Sequence, residues 1–399
     1  MNKTLLFLIA AGAGIMLSAC SSSDEPGGGD NGMEKPALTI AETEAASEIN
    51  EFSLDFIRAV AENSEKDNNF AVSPLSMSTF LAMVANSGDE TAICEALHCS
   101  DLATLNSLSA KYMQWLPATG KKLKINIANA LWYDKSYTVN PDFADTAQDV
   151  FDCDIFARDF SNSGLKEEIN GWADKNTNGM IKKLIDDNPL TLFLANALYF
   201  KGDWDKPFKK ENTVKADFHG INGNTKVDMM KNRLETEYFE TDEAQVVRLH
   251  FAKSFSAIVM MPKESEDING FMREKLAEHW SYISPATSEF YRCDVDLSFP
   301  KFKLAPKKID MSKILSDLGI DHLNANILSE VSTPIEVMQI ATVRFDEKGA
   351  EAAAVTMGSD YVAAPPTNSA IMTVDRPFLF FINEDSTGLC LFAGKVVSL

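Results

Sequence analysis

Five histidines, His98, His219, His250, His279 and His322, are the side chains best suited to moving protons near neutral pH. None stands in a motif that pairs it with a nucleophile. The chain has no Gly-x-Ser-x-Gly turn, no His-Glu-x-x-His and no Gly-Lys-Ser/Thr phosphate loop. Gly12-Ala13-Gly14 falls inside an apolar N-terminal run and carries no phosphate-binding meaning. Acidic pairs such as Asp186-Asp187 read as solvated turns. With Cys20 set apart for the reason below, Cys94, Cys99, Cys153, Cys293 and Cys390 remain. An odd remainder gives no disulfide framework. Cys94 and Cys99 read as two partly buried thiols, and no Cys/His spacing suits a metal. The expectation is a protein that is not an enzyme and has no cofactor.

One stretch is unusual in a different way. Glu347-Lys348-Gly349-Ala350-Glu351-Ala352-Ala353-Ala354-Val355-Thr356-Met357-Gly358 is built almost entirely from small residues, and the run ends in Ala363-Ala364-Pro365-Pro366. Alanine propensity alone favours a helix, and in isolation such a run reads as a surface linker or helix. Slim side chains also fit a crowded place that larger ones cannot enter. Strand-like runs lie on both sides, Ile340–Phe345 before and Phe378–Ile382 after.

The elements around this stretch can be read in order. Met1-Asn2-Lys3, an apolar run from Leu5 to Met16 and then Leu17-Ser18-Ala19-Cys20 make a short export signal, residues 1–19. The apolar run is too short for a membrane span of roughly 20 residues. Leu-Ser-Ala-Cys resembles a bacterial lipoprotein box, which implies lipidation of Cys20 and attachment to a membrane through that anchor. Residues 20–45, opening with Ser21-Ser22-Ser23-Asp24-Glu25-Pro26-Gly27-Gly28-Gly29, read as a flexible tether. The acidic Ser-rich start resembles surface-export signals of some Gram-negative lipoproteins. The expected place is the outer membrane, the cell surface or the extracellular space. Residues 46–399 show no second linker and no repeat, and 45% hydrophobic content is enough for one large mixed domain. The formal charge is −21, and removing residues 1–19 takes away only Lys3, leaving −22. A surface this acidic repels nucleic acid and anionic lipid. Lys121, Lys122 and Lys124 form no cluster suited to a polyanion.

Within 46–399, Ala46, Ile49, Phe52, Phe56, Ile57 and Val60 recur at helical spacing. Asn69-Phe70-Ala71-Val72-Ser73-Pro74-Leu75-Ser76 reads as a strand entering a helix capped by Ser73 or Ser76, with Gly88 as a stop. Ile125–Tyr133 alternates like a half-buried strand, and Asn178-Gly179 is a turn. Leu192–Phe200 is nearly continuous in apolar residues, as a strand buried on both faces must be.

These segments resemble the serpins, the serine protease inhibitor family. The similarity rests on Asn69…Ser73-Pro74-Leu75-Ser76, Ile169-Asn170-Gly171-Trp172, Asn196-Ala197-Leu198-Tyr199-Phe200-Lys201-Gly202-Asp203-Trp204, Leu315-Ser316-Asp317-Leu318-Gly319-Ile320 and the terminal Arg376–Val397 hairpin, in family order. The hinge pattern Glu-x-Gly-small-Glu-Ala-Ala-Ala is met by Glu347, Gly349, Ala350, Glu351, Ala352, Ala353 and Ala354. The resemblance implies an α+β (mixed α/β) fold with three β-sheets, eight to nine helices and an exposed reactive loop. It implies a monomer that inhibits serine proteases by inserting its cleaved loop into the main sheet. Side chains on an inserted strand alternate faces, so Ala350, Ala352, Ala354, Thr356 and Gly358 would turn inward. The family's usual spacing from Glu347 puts the reactive bond at Ala363-Ala364, which implies elastase-like targets. Tyr361-Val362 and Val362-Ala363 are the next candidates, the former implying a chymotrypsin- or subtilisin-like target. The His-Lys pair common before the hinge strand is Gln339-Ile340 here, so pH control of sheet opening is not expected. A surface binding or adhesion protein of the same fold without inhibitory action is the alternative, and the slim hinge speaks for the inhibitor.

Overall fold

The computed structural model describes residues 32–88, 90–251, 254–264, 266–283, 291–321, 324–329, 331–334, 337–350 and 368–399. The first helix, α1 (Ile40–Asn63), begins ahead of the expected domain start at residue 46. The reason is a reciprocal cap: Glu42 N–H donates to Thr39 Oγ1 at 3.2 Å, and Thr39 N–H donates to Glu42 Oε2 at 2.7 Å. The chain before it, assigned above to the tether, also lies on the domain. Met33 N–H donates to Ala118 O, Trp115 Nε1–H donates to Met33 O, and Lys35 Nζ reaches the buried Glu384 at 2.6 Å. Ala46, Ile49, Phe52, Phe56, Ile57 and Val60 form the buried stripe of α1, as their spacing requires.

Helix α2 (Pro74–Ala85) starts where the sequence placed it. Ser73 Oγ accepts from Ser76 N–H at 3.1 Å, and Pro74 takes the first helical position, where a missing N–H is harmless. All twelve residues of α2 are buried, so it runs through the centre of the molecule. Around it come α3 (Glu90–Ala96), α4 (Leu102–Trp115), α5 (Pro141–Phe151), α6 (Leu165–Asn176), α7 (Ile268–Glu274), α8 (Leu276–Ile283) and α9 (Ser312–Asp317).

The main sheet has the order β10 (Phe302–Lys303), β15 (Arg344–Asp346), β16 (Gly349–Ala350), β4 (Leu192–Asp203), β2 (Leu123–Asp134), β3 (Cys153–Arg158). The ribbon of β11 (Lys307–Asp310) and β14 (Met338–Ala341) continues its β10–β15 edge. The strand expected over Ile340–Phe345 is therefore two strands. At the break, Leu304 N–H donates to Val343 O and Thr342 Oγ1–H donates to Leu304 O, so the backbone stays satisfied.

A nine-stranded array holds β1 (Phe70–Val72), β19 (Cys390–Val396), β18 (Phe378–Glu384), β8 (Phe255–Pro262), β7 (Ala244–His250), β6 (Gly223–Glu240), β9 (Tyr291–Pro300) and β17 (Ser369–Thr373) in that order, with β5 (Val214–Gly220) beside β6. The 18-residue β6 serves two sheets, pairing with β5 and β9 along its length and with β7 at its end. Counted this way the described residues form three sheets and nine helices, with a small hairpin of β12 (Asn324–Leu328) and β13 (Val331–Pro334). This is the mixed α/β architecture, with three sheets, that was expected above.

The main sheet is covered on both faces, which explains the apolar continuity of β4. Leu194, Leu198 and Phe200 enter the large core beside α2. Ala195 and Ala197 turn the other way, with Ala130 and Trp132, under Ile169 and Trp172 of α6. Cys94, Cys99, Cys153, Cys293 and Cys390 all carry free thiols.

Candidate functional site: an open sheet edge and its hinge

Strand β4 has two edges that are used very differently. On one side it pairs with β2 continuously, from Leu123 opposite Gly202 to Tyr133 opposite Leu192. On the other side, among the described residues, only Gly349 and Ala350 pair with it, opposite Asp203 and Gly202. Strand β14 pairs with β11, and β15 pairs with β10 on one side and with the two residues of β16 on the other, so neither pairs with β4 directly. Below Gly202, no described strand pairs with β4 on this side. An unpaired edge inside a covered sheet is a template for one more strand.

The hinge at the closed end is tied to the exit of β4. Trp204 Nε1–H donates to Asp346 O at 3.0 Å, Trp204 N–H to Lys348 O at 2.7 Å and Phe208 N–H to Glu347 O at 2.8 Å. The Trp204 ring stacks on Phe251 at 4.4 Å and on Phe345 at 5.8 Å. Glu347 is 6% exposed, and its carboxylate accepts from Lys301 Nζ at 2.9 Å and Thr213 Oγ1 at 3.2 Å. Burial pushes this carboxyl up, but the hydrogen bonds, led by Lys301, outweigh it and hold it below the usual range. Gly349 is required by space: a Cβ there would overlap the Gly202 carbonyl oxygen and stand 2.8 Å from Asp203 Cα. Ala350, 1% exposed, already points into the large core.

A chain of polar side chains crosses under the open edge. Gln339, on β14, clamps the peptide groups of Ser73: Ser73 N–H donates to Gln339 Oε1 and Gln339 Nε2–H donates to Ser73 O, both at 2.9 Å. Ser73 Oγ–H donates to Leu391 O at 2.6 Å, and Ser76 Oγ–H donates to Asn196 Oδ1 on β4. Asn196 Nδ2–H donates to Asn129 Oδ1 on β2, and Asn129 Nδ2–H to Phe151 O, both at 2.7 Å. The start of α2 is thereby fastened to strands on both sides of the gap. Sequence reading offered Ser73 or Ser76 as the cap, of which the structure uses Ser73, and noted the absence of a histidine at Gln339. It did not find the clamp, Asn129, Lys301 or the role of Trp204.

Of the residues assigned to the loop by sequence, Glu347, Gly349 and Ala350 sit at this hinge. Glu351, Ala352, Ala353, Ala354, Thr356, Tyr361, Val362, Ala363 and Ala364 lie outside the described residues, as does Cys20. The chain re-enters as β17, parallel to β9. The described histidines do not gather here with a nucleophile. His98 lies 3.0 Å from Asp55, and the buried His279 lies 3.3 Å from Thr241. His219 is exposed, and His322 is outside the described residues. His250 sits 3.6 Å from both Glu237 and Asp385. Burial lowers its pKa, but the two carboxylates more than reverse this and push it up to about 9.

Comparisons with known proteins agree with this geometry. The leukocyte elastase inhibitor of Homo sapiens is 29% identical over 377 residues, covering 87% of this chain and 97% of that protein. The alpha-1-antiproteinase of Callosciurus caniceps is 30% identical over 377 residues, covering 88% of each. The native-state crystal structure of the thermophilic serpin tengpin superposes with a TM-score of 0.78 at 27% identity, over 92% of this chain and 97% of that one. The sequence profile described as Serpin (serine protease inhibitor) matches residues 47–399, and the chain belongs to that family.

Proposed function

We propose that this protein is a suicide inhibitor of elastase-like serine proteases. The carrying observation is the edge of β4 left without a described strand partner below Gly202, with Ala350 already paired at its upper end. The protease attacks the Ala363-Ala364 bond and becomes esterified to the Ala363 carbonyl, releasing the Ala364 amine. The segment from Ala350 onward then adds to β4 as a new strand, in continuation of β16. Ala350 faces the core, so alternation sends Ala352, Ala354 and Thr356 the same way, and all are slim. The attached protease is carried along before water can release it.

The test is incubation with neutrophil or pancreatic elastase, followed by a denaturing gel and mass spectrometry. The expected result is a detergent-stable adduct and a released C-terminal fragment beginning at Ala364. A fragment beginning at Ala363 moves the reactive bond, and one beginning at Val362 moves both the bond and the target class, to a chymotrypsin- or subtilisin-like protease. Cleavage without any adduct overturns the inhibitor reading in favour of a binding or adhesion role.

We further propose export and lipidation at Cys20. Among the described residues no helix is long and apolar enough to cross a membrane, so the reading rests on Leu17-Ser18-Ala19-Cys20 and the Ser/Gly-rich segment after it. Cells expressing the full chain should incorporate an alkyne-tagged fatty acid into it. Incorporation that survives Cys20→Ala removes the anchor from this residue.

A further inference from the structure

The turn between α3 and α4 brings two thiols together by its backbone geometry. His98 has a positive φ of 54°. Its N–H donates to Glu95 O at 3.2 Å, and the next N–H, of Cys99, reaches back to Cys94 O at 2.8 Å. These two bonds define a Schellman helix end, with His98 as the left-handed residue. Such an end characteristically places the side chain two positions after the cap against the one three positions before it. Those positions are Cys99 and Cys94. Both are half-buried, and each bears on the other's ionisation. The turn is also held from α1: His98 Nε2 lies 3.0 Å from Asp55, and Ser100 N–H donates to Glu48 at 3.3 Å.

We propose that Cys94 and Cys99 form a cross-linking site that closes to an intramolecular disulfide by exchange with a small-molecule or protein disulfide. One thiolate attacks a sulfur of the incoming disulfide, forming a mixed disulfide and expelling one thiolate. The second cysteine's thiolate attacks the protein-bound sulfur and expels the other. The pair loses two electrons and two protons, and one external disulfide becomes two thiols. The closed ring fastens the end of α3 to the turn that leads into α4, and it restrains His98 in a conformation that side chains adopt reluctantly. Burial raises both thiols, Cys99 to about 12, so closure is slow at neutral pH and quickens as pH rises.

The experiment uses the purified full chain, glutathione disulfide as oxidant, iodoacetamide and peptide mapping. Cys153, Cys293 and Cys390 are buried and serve as internal controls. The expected product joins Cys94 to Cys99, is lighter by two hydrogen atoms, resists alkylation and reverts with dithiothreitol. Oxidation should raise the melting temperature by about 4 °C, and Cys99→Ser should abolish that rise. Alkylation of both thiols after prolonged oxidation overturns the proposal, as does a glutathione adduct that never closes. Should Cys99→Ser fail to fold, mapping of the unsubstituted chain still decides between these outcomes.

Discussion

Glu347 and His250 are charged groups whose environments pull stability in opposite directions along the pH scale. Glu347 is held below its ordinary value of 4.5 by Lys301 and Thr213. A carboxylate lowered by folding stabilises above its unfolded pKa, and that contribution drains away as pH falls through its folded pKa. His250 is raised from 6.5 to about 9 by Asp385 and Glu237. A histidine raised by folding stabilises fully below its unfolded pKa, and that contribution is lost as pH climbs through about 9. Urea midpoints measured against pH should therefore fall on the acid side below about 4.5 and on the alkaline side between about 6.5 and 9. Glu347→Gln should lower stability at neutral pH by about 1–3 kcal/mol and reduce the acid slope. An acid slope unchanged in that variant would show that Lys301 and Glu347 do not couple in solution.

At the scale of elements, the clamp on Ser73 decides how firmly α2 is held to β14. Gln339 offers one acceptor and one donor to a peptide pair that is otherwise buried. Gln339→Glu keeps the shape but replaces the amide donor with a second carboxylate oxygen aimed at Ser73 O. The variant should lose about 2–4 kcal/mol at neutral pH and recover part of it in acid, once the carboxyl is protonated and donates again. Equal losses at both pH values would mean that packing, not the paired hydrogen bonds, holds this contact. The same elements show what was legible in the chain. The Ser73 cap, the apolar run of β4, the Asn178-Gly179 turn and the terminal hairpin each leave a local pattern, and the structure has all of them. The Thr39…Glu42 cap is a local pattern too, but it lies ahead of the apolar stripe that marks the helix from Ala46 onward. Gln339 and Ser73 are 266 residues apart, and Lys35 and Glu384 are 349 apart. No periodicity encodes such pairs, because they exist only once the sheets have closed. The break at Thr342-Val343 was hidden for a related reason: a strand-like run does not reveal a change of partner.

For the whole molecule, the described structure combines a closed core with one sheet edge that is not used. Adding a strand there gains about 1 kcal/mol net per backbone hydrogen bond. Ordering the added residues costs about 1–2 kcal/mol each, so the bonds alone do not drive insertion. The surplus must come from burying slim side chains in the large core and from relief of an uncut state whose persistence is kinetic. Cutting the loop removes the covalent restraint while leaving every other residue unchanged, so it isolates that surplus. A protein nicked within Tyr361–Ala364 should melt about 10 °C or more above the intact chain, a shift that for a domain of about 350 residues corresponds to a surplus of about 7 kcal/mol. Ala352→Asp should abolish the gain by placing a charge on the face that Ala350 shows to be buried. Nicked and intact chains that melt together would leave β4's edge a permanent feature of the fold, with no transition for a protease to trigger.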